Sequence, residues 1–338
     1  PFFSLLCLHL GLTSAGVFEE GNDDKGHSGH KPHTWTKICL EGKKQSPINI
    51  VTSHAVCQEN APALRFDNFD QNGTVLVTNN GETGVVDGFE EWEDRPIFVR
   101  SELRLKYYLQ QLHFHWNLND RGSEHAIDGQ QATAEMHMVF SLGDMNVSEA
   151  KFIEKGLVVV GVLLNVVEDE KLGIYEGLIN VKNTSKSFDD YFVDEYFDMS
   201  TKLPDSYADY FRYDGSLTTS DCEENVHWIV YRHPLGISQR ELDAMRHLHD
   251  PDNYIIDHNN RQPMEINGRK VRLYSSDCGF RPAPRPSNRY GLRSPKRQNR
   301  RATKRMIRHK STTKKPYFPK KRKSQKPRPT RNYLPRTY

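Results

Sequence analysis

The segment Gln111-Leu112-His113-Phe114-His115-Trp116 alternates polar and apolar side chains with a period of two, the pattern of a strand that buries one face. Leu112, Phe114 and Trp116 share the apolar face, while Gln111, His113 and His115 share the other. A second segment, Glu135-Met136-His137-Met138-Val139, sets Glu135 and His137 on one face in the same way. Antiparallel pairing of the two would gather His113, His115 and His137 into one cluster. Three imidazole nitrogens and one open position are the donor set of a catalytic zinc ion, whereas structural zinc sites are usually closed by four protein ligands. Gln111 and Glu135 each lie two residues before a candidate ligand, so each can accept the outer ring N–H that fixes a ligand's tautomer. A His-x-His pair alone is a weak signal, because a strand histidine is usually just a satisfied polar residue. The third histidine and two acceptors at a common offset carry the metal reading.

Strand patterns recur at Thr74–Thr78, Tyr107–Trp116, Ala132–Leu142 and Val226–Tyr231. The window Leu157–Val167 has no alternation, which predicts a central strand covered on both faces. Gln239–His249 predicts a helix, with Ser238 placed to cap it. Strands dominate and regular βαβ alternation is missing. The fold class expected is mainly β (α+β): a large twisted, mostly antiparallel sheet with short peripheral helices.

The formal charge of +3 hides a strong asymmetry. Of 47 Lys and Arg, 22 fall in residues 281–338, which contain no Asp or Glu; the first 280 residues keep 25 against 44 acidic side chains, a balance of −19. The same tail holds half of the 18 prolines and few aliphatics, a composition that predicts disorder. At the other end, an apolar run over residues 1–12 followed by small residues to position 16 reads as a secretory signal peptide lacking its start. It is too short to span a bilayer, and no transmembrane segment is expected elsewhere. Residues 17–34 read as a flexible lead-in, 35–280 as the globular domain and 281–338 as the basic tail. Secretion fits the cysteines: once Cys7 leaves with the signal, Cys39, Cys57, Cys222 and Cys278 remain, with three possible pairings. Asn72, Asn146 and Asn183 head Asn-x-Ser/Thr sequons, expected glycosylation sites on a secreted surface.

From about Trp35 to Val271 the chain resembles the α-class carbonic anhydrases. The likeness rests on QSPINI (Gln45–Ile50), NNG (Asn79–Gly81), QLHFHW (Gln111–Trp116), GSEH (Gly122–His125), AEMHMV (Ala134–Val139), GSLTT (Gly215–Thr219) and HWIVY (His227–Tyr231), in the family's order. It implies a conical cleft with Zn2+ at its base and reversible hydration of carbon dioxide to bicarbonate and a proton. His113, His115 and His137 would be the metal ligands, with Gln111 and Glu135 behind them. Bound zinc would acidify a water towards neutrality, an effect for which carbonic anhydrase is itself the standard example. Thr218 would accept the hydroxide proton and donate its own to Glu124, orienting the nucleophile. Val139, Val159, Leu217 and Trp228 would form the apolar wall for carbon dioxide, beside Thr218 and Thr219. Secreted relatives also join cysteines matching Cys39 and Cys222, and Cys57–Cys278 then follows by elimination.

Two departures stand out. Where the family often carries a histidine proton shuttle after Asn-Asn-Gly, this chain has Glu82. A free glutamate titrates near 4.3 and imidazole near 6.5, so proton transfer from a donor near neutrality to such a carboxylate is uphill by roughly 3.7 kcal/mol. Slower, buffer-limited proton export is expected. Where many relatives have two prolines after the second threonine, this chain has Ser220-Asp221, which leaves the stiffness of the Thr218 loop open.

The tail lies outside the resemblance. Its charge suits a polyanion; in a secreted protein that means acidic matrix proteins or sulfated polysaccharides, and no nucleic acid is expected. Secreted members of calcifying invertebrates, including nacrein-like mollusc shell-matrix forms, carry an extra segment, so bicarbonate supply for mineral formation is the role the likeness implies. The alternatives are a solubilising extension, a cleaved propeptide, or a catalytically weak relative that acts as a polyanion-binding matrix protein.

Overall fold

The computed structural model describes residues 35–275, apart from 59–63, 101–103, 169–176, 178–190, 205–207 and 220, and without the side chains of 191–196. The segments expected as signal, lead-in and tail, together with Asn183 and Cys278, lie outside the described residues. These residues fall within one compact unit, Pro1–Arg285.

Among them are the strands β1 (Asn49–Ile50), β2 (Val56–Gln58), β3 (Arg65–Asp67), β4 (Asn72–Asn79), β5 (Gly84–Asp87), β6 (Ile97–Arg100), β7 (Leu105–Trp116) and β8 (Ala126–Ile127). They continue with β9 (Gln130–Gln131), β10 (Ala134–Leu142), β11 (Leu157–Val166), β12 (Tyr191–Asp198), β13 (Tyr210–Gly215), β14 (Val226–Tyr231), β15 (Leu235–Ile237) and β16 (Arg272–Tyr274). The α-helices among the described residues are short: α1 (Lys37–Glu41), α2 (Val147–Ala150) and α3 (Gln239–Met245).

The main sheet runs β12-β4-β5-β7-β10-β11-β14-β13-β16-β2, and β1, β8 and β9 form a small second sheet. Most pairs of the main sheet are antiparallel, as expected. The exceptions are β11 with β14 and β15, and β16 with β2, which run parallel. Alternation patterns report burial but not strand direction, so this mixture was not legible from the residues.

Parity explains how the sheet separates core from site. Leu112, Phe114 and Trp116 of β7, Met136, Met138 and Phe140 of β10, and Val158, Val160 and Val162 of β11 enter one large apolar cluster. Their odd-numbered neighbours point to the other face, where Val139, Val159 and Trp228 belong to a second, smaller cluster. β11 is buried on both faces over Leu157–Leu164, as its unbroken apolar run requires. Burial of each large aliphatic side chain contributes roughly 1.5–3 kcal/mol, so a one-residue slip of β7 would exchange three core side chains for histidines and glutamine.

The Ser238 cap forms as predicted: its hydroxyl accepts from Glu241 N, and the Glu241 carboxylate reaches back to Ser238. The helix it starts ends at Met245, four residues before the expected His249. There the chain tightens, with His247 N bonding Ala244 O and Leu248 N bonding Met245 O, which turns Leu248 fully into the core. β10 likewise begins at Ala134, because Ala132 N is taken by the Ser123 hydroxyl at 2.8 Å.

Candidate metal centre and substrate cavity

β7 and β10 pair antiparallel with His137 opposite His113 and Glu135 opposite His115. The three imidazoles meet with ring centroids 4.5–5.1 Å apart, all buried. One nitrogen of each ring is held from outside. His113 Nδ1 lies 3.2 Å from Gln111 Oε1, His115 Nδ1 lies 3.1 Å from the Asn259 carbonyl, and His137 Nε2 lies 3.0 Å from Glu135 Oε1. All three partners are acceptors, so each of these nitrogens carries the proton. The inner atoms, His113 Nε2, His115 Nε2 and His137 Nδ1, are therefore lone-pair donors facing one another.

The rings are kept neutral. Burial pushes His113 well below its ordinary range, with the neighbouring His115 and His137 adding to the effect. Burial pushes His115 down to about 4 and also lowers His137. Glu135 is ionised: burial alone would raise it, but His125 and His137 outweigh that and hold it well below the carboxylate range. Its oxygens accept from Glu124 N at 3.0 Å, His125 N at 2.8 Å, His125 Nδ1 at 2.7 Å and His137 Nε2 at 3.0 Å. Gly161 faces His137 across β10–β11, and a Cβ there would stand 2.7 Å from Glu135 Oε1. This close approach accounts for the one glycine in the Val/Leu run.

A second layer supports the first. His125 Nε2 pairs with Tyr213 Oη at 2.7 Å, and that hydroxyl donates to Ser46 Oγ at 2.9 Å. Glu124 is buried and accepts Arg261 N at 2.9 Å. Burial raises its carboxyl to about 7, against the opposing pull of His137, Arg261 N and the Thr218 hydroxyl. Thr218 thus favours the carboxylate, although Glu124 Oε2 has no partner at hydrogen-bond distance. Arg261 ties this layer to the start of the domain, its guanidinium donating to Gln45 Oε1, Ser46 O and Cys39 O.

A cavity of about 130 Å³ opens on the site. Its lining includes Gln111, His113, His137, Val139, Val159, Leu217, Thr218, Thr219 and Trp228, so the expected apolar wall and both threonines share one space. Trp228 closes the base, with its ring 4.8 Å from that of His137 and its Nε1 bonded to Ser216 O at 2.9 Å. Glu82 is exposed and is not part of this lining; Asn259 Nδ2 holds its carbonyl at 3.0 Å.

The family model described as eukaryotic-type carbonic anhydrase matches residues 30–275. The chain belongs to that family. This carbonic anhydrase is 34% identical to mouse carbonic anhydrase 7 over 274 residues, covering 77% of the chain and 98% of the relative. It is 33% identical to human carbonic anhydrase 7 over 254 residues, covering 71% and 93%. A Caenorhabditis elegans relative bearing the carbonic anhydrase 5 name is 33% identical over 284 residues, covering 81% and 88%.

The family is zinc-dependent, and the donor set of this carbonic anhydrase fits that ion. His113 Nε2 and His137 Nδ1 stand 3.3 Å apart, and neither has a proton to offer the other. Two donors on a tetrahedral zinc with bonds of about 2.0–2.1 Å would be separated by about 3.3–3.4 Å. His115 Nε2 is buried with no hydrogen-bond partner, which is costly unless a cation takes its lone pair.

Cys39 and Cys222 form a disulfide, and Cys57 is disulfide-bonded as well; Cys278, its expected partner, lies outside the described residues. Asn72 and Asn146 are exposed; Asn146 also caps α2 through Oδ1. Among the described residues no helix is long and apolar enough to cross a membrane.

Sequence reasoning missed Asn259, His125, Tyr213, Ser46 and the lining residue Lys151. Asn259 serves His115 through its backbone carbonyl, which no side-chain pattern can reveal. His125 and Ser46 lie inside the motifs GSEH and QSPINI, but their partnership spans distant segments.

Proposed function

We propose that this carbonic anhydrase holds zinc through His113 Nε2, His115 Nε2 and His137 Nδ1, and there catalyses reversible hydration of carbon dioxide to bicarbonate and a proton. The observation that carries the reading is the set of three inward lone pairs, each with its opposite nitrogen fixed by a separate acceptor. When bound, zinc supplies hydroxide near neutral pH, for which carbonic anhydrase is the standard example.

The chain supplies the rest. Glu124 Oε1 is fixed by Arg261 N, and in its carboxylate form, which the Thr218 hydroxyl favours, Glu124 accepts from that hydroxyl, so the Thr218 oxygen presents a lone pair to the nucleophile's proton. That arrangement aims the nucleophile's own lone pair towards the apolar side of the cavity. Val139, Val159, Leu217 and Trp228 offer carbon dioxide a dry surface without strong binding, and Thr219 borders it. Glu82 occupies the proton-export position and leaves export to buffer. Glu124→Gln, which takes away the acceptor charge, should cut hydration by one to three orders of magnitude with zinc retained. Unchanged hydration would refute the relay.

At the level of the whole chain, residues 1–16 direct secretion, 17–34 lead into the domain at 35–280, and the basic tail at 281–338 binds acidic matrix proteins or sulfated polysaccharides. Such a protein, akin to nacrein-like shell-matrix forms, would deliver bicarbonate where calcium carbonate is laid down. The Cys39–Cys222 disulfide and the exposure of Asn72 and Asn146 support the secreted reading. Salt-sensitive retention on heparin, lost on deletion of 281–338, is the expected result; no retention at low salt would dismiss the tail's role.

A further inference from the structure

Lys151 closes α2 and lines the same cavity as Thr218 and Thr219, yet no step above uses it. Its ammonium lies 2.5 Å from Asp221 Oδ2, on the loop between β13 and β14 that carries Thr218. Its carbonyl accepts Asn225 Nδ2 at 2.9 Å, at the far end of that loop. The loop also has internal ties, Cys222 N to Thr219 O at 3.0 Å and Leu217 N to Glu223 O at 3.1 Å. On its other flank it is held by the Cys39–Cys222 disulfide and by Gln45 Nε2 donating to Cys222 O at 3.1 Å. Lys151 therefore supplies the anchor on the β10–β11 side, opposite the anchors from the start of the domain.

The bond itself is exposed, and its weight lies in what it positions. An exposed pair contributes little, because water screens it and two long side chains must be ordered. Here the Lys151 side chain is only 17% exposed, against 50% for Asp221, and its ammonium also stands 5.0 Å over the Phe152 ring, so its stem is already ordered by packing and the pair costs little further side-chain entropy.

The geometry points to Lys151 as a positioning residue for hydration: through Asp221 and Asn225 it holds the loop so that the Thr218 hydroxyl stays aligned with Glu124. This inference rests on the proposed hydration reaction. It bears on the question raised by Ser220-Asp221, since the loop takes its stiffness here from a charge pair.

The test uses the full-length, zinc-loaded protein with K151M, D221N, the double variant and K151R. Hydration is followed by stopped flow in concentrated buffer, and amide hydrogen exchange is followed over 217–225 in the metal-free protein. kcat/KM reports steps through attack on carbon dioxide, whereas kcat also counts proton export, which the loop does not touch. K151M should lower kcat/KM about tenfold, the scale of a small misplacement of an aligning group. D221N should lower it at least as far, with kcat and zinc content little changed. The double variant should be no worse than D221N, K151R should recover most of the loss, and exchange should rise over 217–225 in K151M but not in β10. Unchanged kcat/KM in K151M, additive losses in the double variant, or no recovery in K151R would overturn the assignment. A wild type without hydration activity would instead sink the parent reaction; the strut would then stand or fall on hydrogen exchange alone, and unchanged exchange in K151M would overturn it.

Discussion

Asn259 joins Glu82 to the candidate metal ligand His115: its side-chain amide donates to the Glu82 carbonyl at 3.0 Å, while its own carbonyl receives His115 Nδ1 at 3.1 Å. The backbone at Glu82, the proposed proton-export position, is thus tied to the candidate ligands by one residue. Replacing Glu82 by His should raise turnover in dilute buffer roughly tenfold, because imidazole is better matched to a near-neutral donor than a carboxylate is. Wild-type turnover should climb with added imidazole, and the Glu82→His enzyme should respond less.

Glu135 accepts four N–H groups, two from backbone and two from imidazoles. Glu135→Gln removes the charge and turns an amide N–H2 against those donors. Zinc affinity should drop about 10- to 100-fold, as is usual when a ligand's hydrogen-bond partner is lost. Competition with a chelator measures it, and unchanged affinity would show that His137 is oriented by packing alone.

Acid should unfold the metal-free protein through its ligands. The folded pKa of His115 is depressed to about 4 from 6.5, so the unfolded chain binds more protons between those values. Its stabilising contribution is complete above pH 6.5 and is lost as pH falls towards 4. The loss reaches about 2 kcal/mol by pH 5 and about 3 kcal/mol in full. His113 and His137 shift in the same direction and add to it. Denaturant titration of the chelated protein at pH 7 and pH 5 should show this decline, with a shallower slope in His115→Gln.

The Cys39–Cys222 disulfide spans 183 residues and anchors the loop that follows Thr219. Cys39→Ser with Cys222→Ser should cost about 3–5 kcal/mol, mainly by freeing the unfolded chain. Thermal melts give the cost, and hydrogen exchange over 217–223 gives the local effect.

The sequence exposed those parts of the molecule that depend on side-chain period. The β7 and β10 alternation put His113, His115 and His137 on one face, and the unbroken run at Leu157–Leu164 marked a strand with two covered sides. Glu124 and Thr218 became readable only through family likeness, since an isolated turn threonine and an acid have no local signature. Asn259 and Lys151 were invisible for different reasons. One acts through its backbone, and the other depends on a partner 70 residues away. Strand direction at β11–β14 was hidden as well: an unbroken apolar run is commonest in parallel sheets, yet β11 pairs antiparallel with β10 on one side and parallel with β14 on the other.

The central claim is that three inward imidazole lone pairs hold one zinc ion that hydrates carbon dioxide. Stopped-flow measurement of carbon dioxide hydration, on purified oxidised protein assayed for metal, tests it most directly. One zinc per chain, hydration well above the buffer rate, and loss of both in His115→Ala are predicted. Protein without stoichiometric zinc and no faster than buffer, or full hydration after loss of His115, would contradict it.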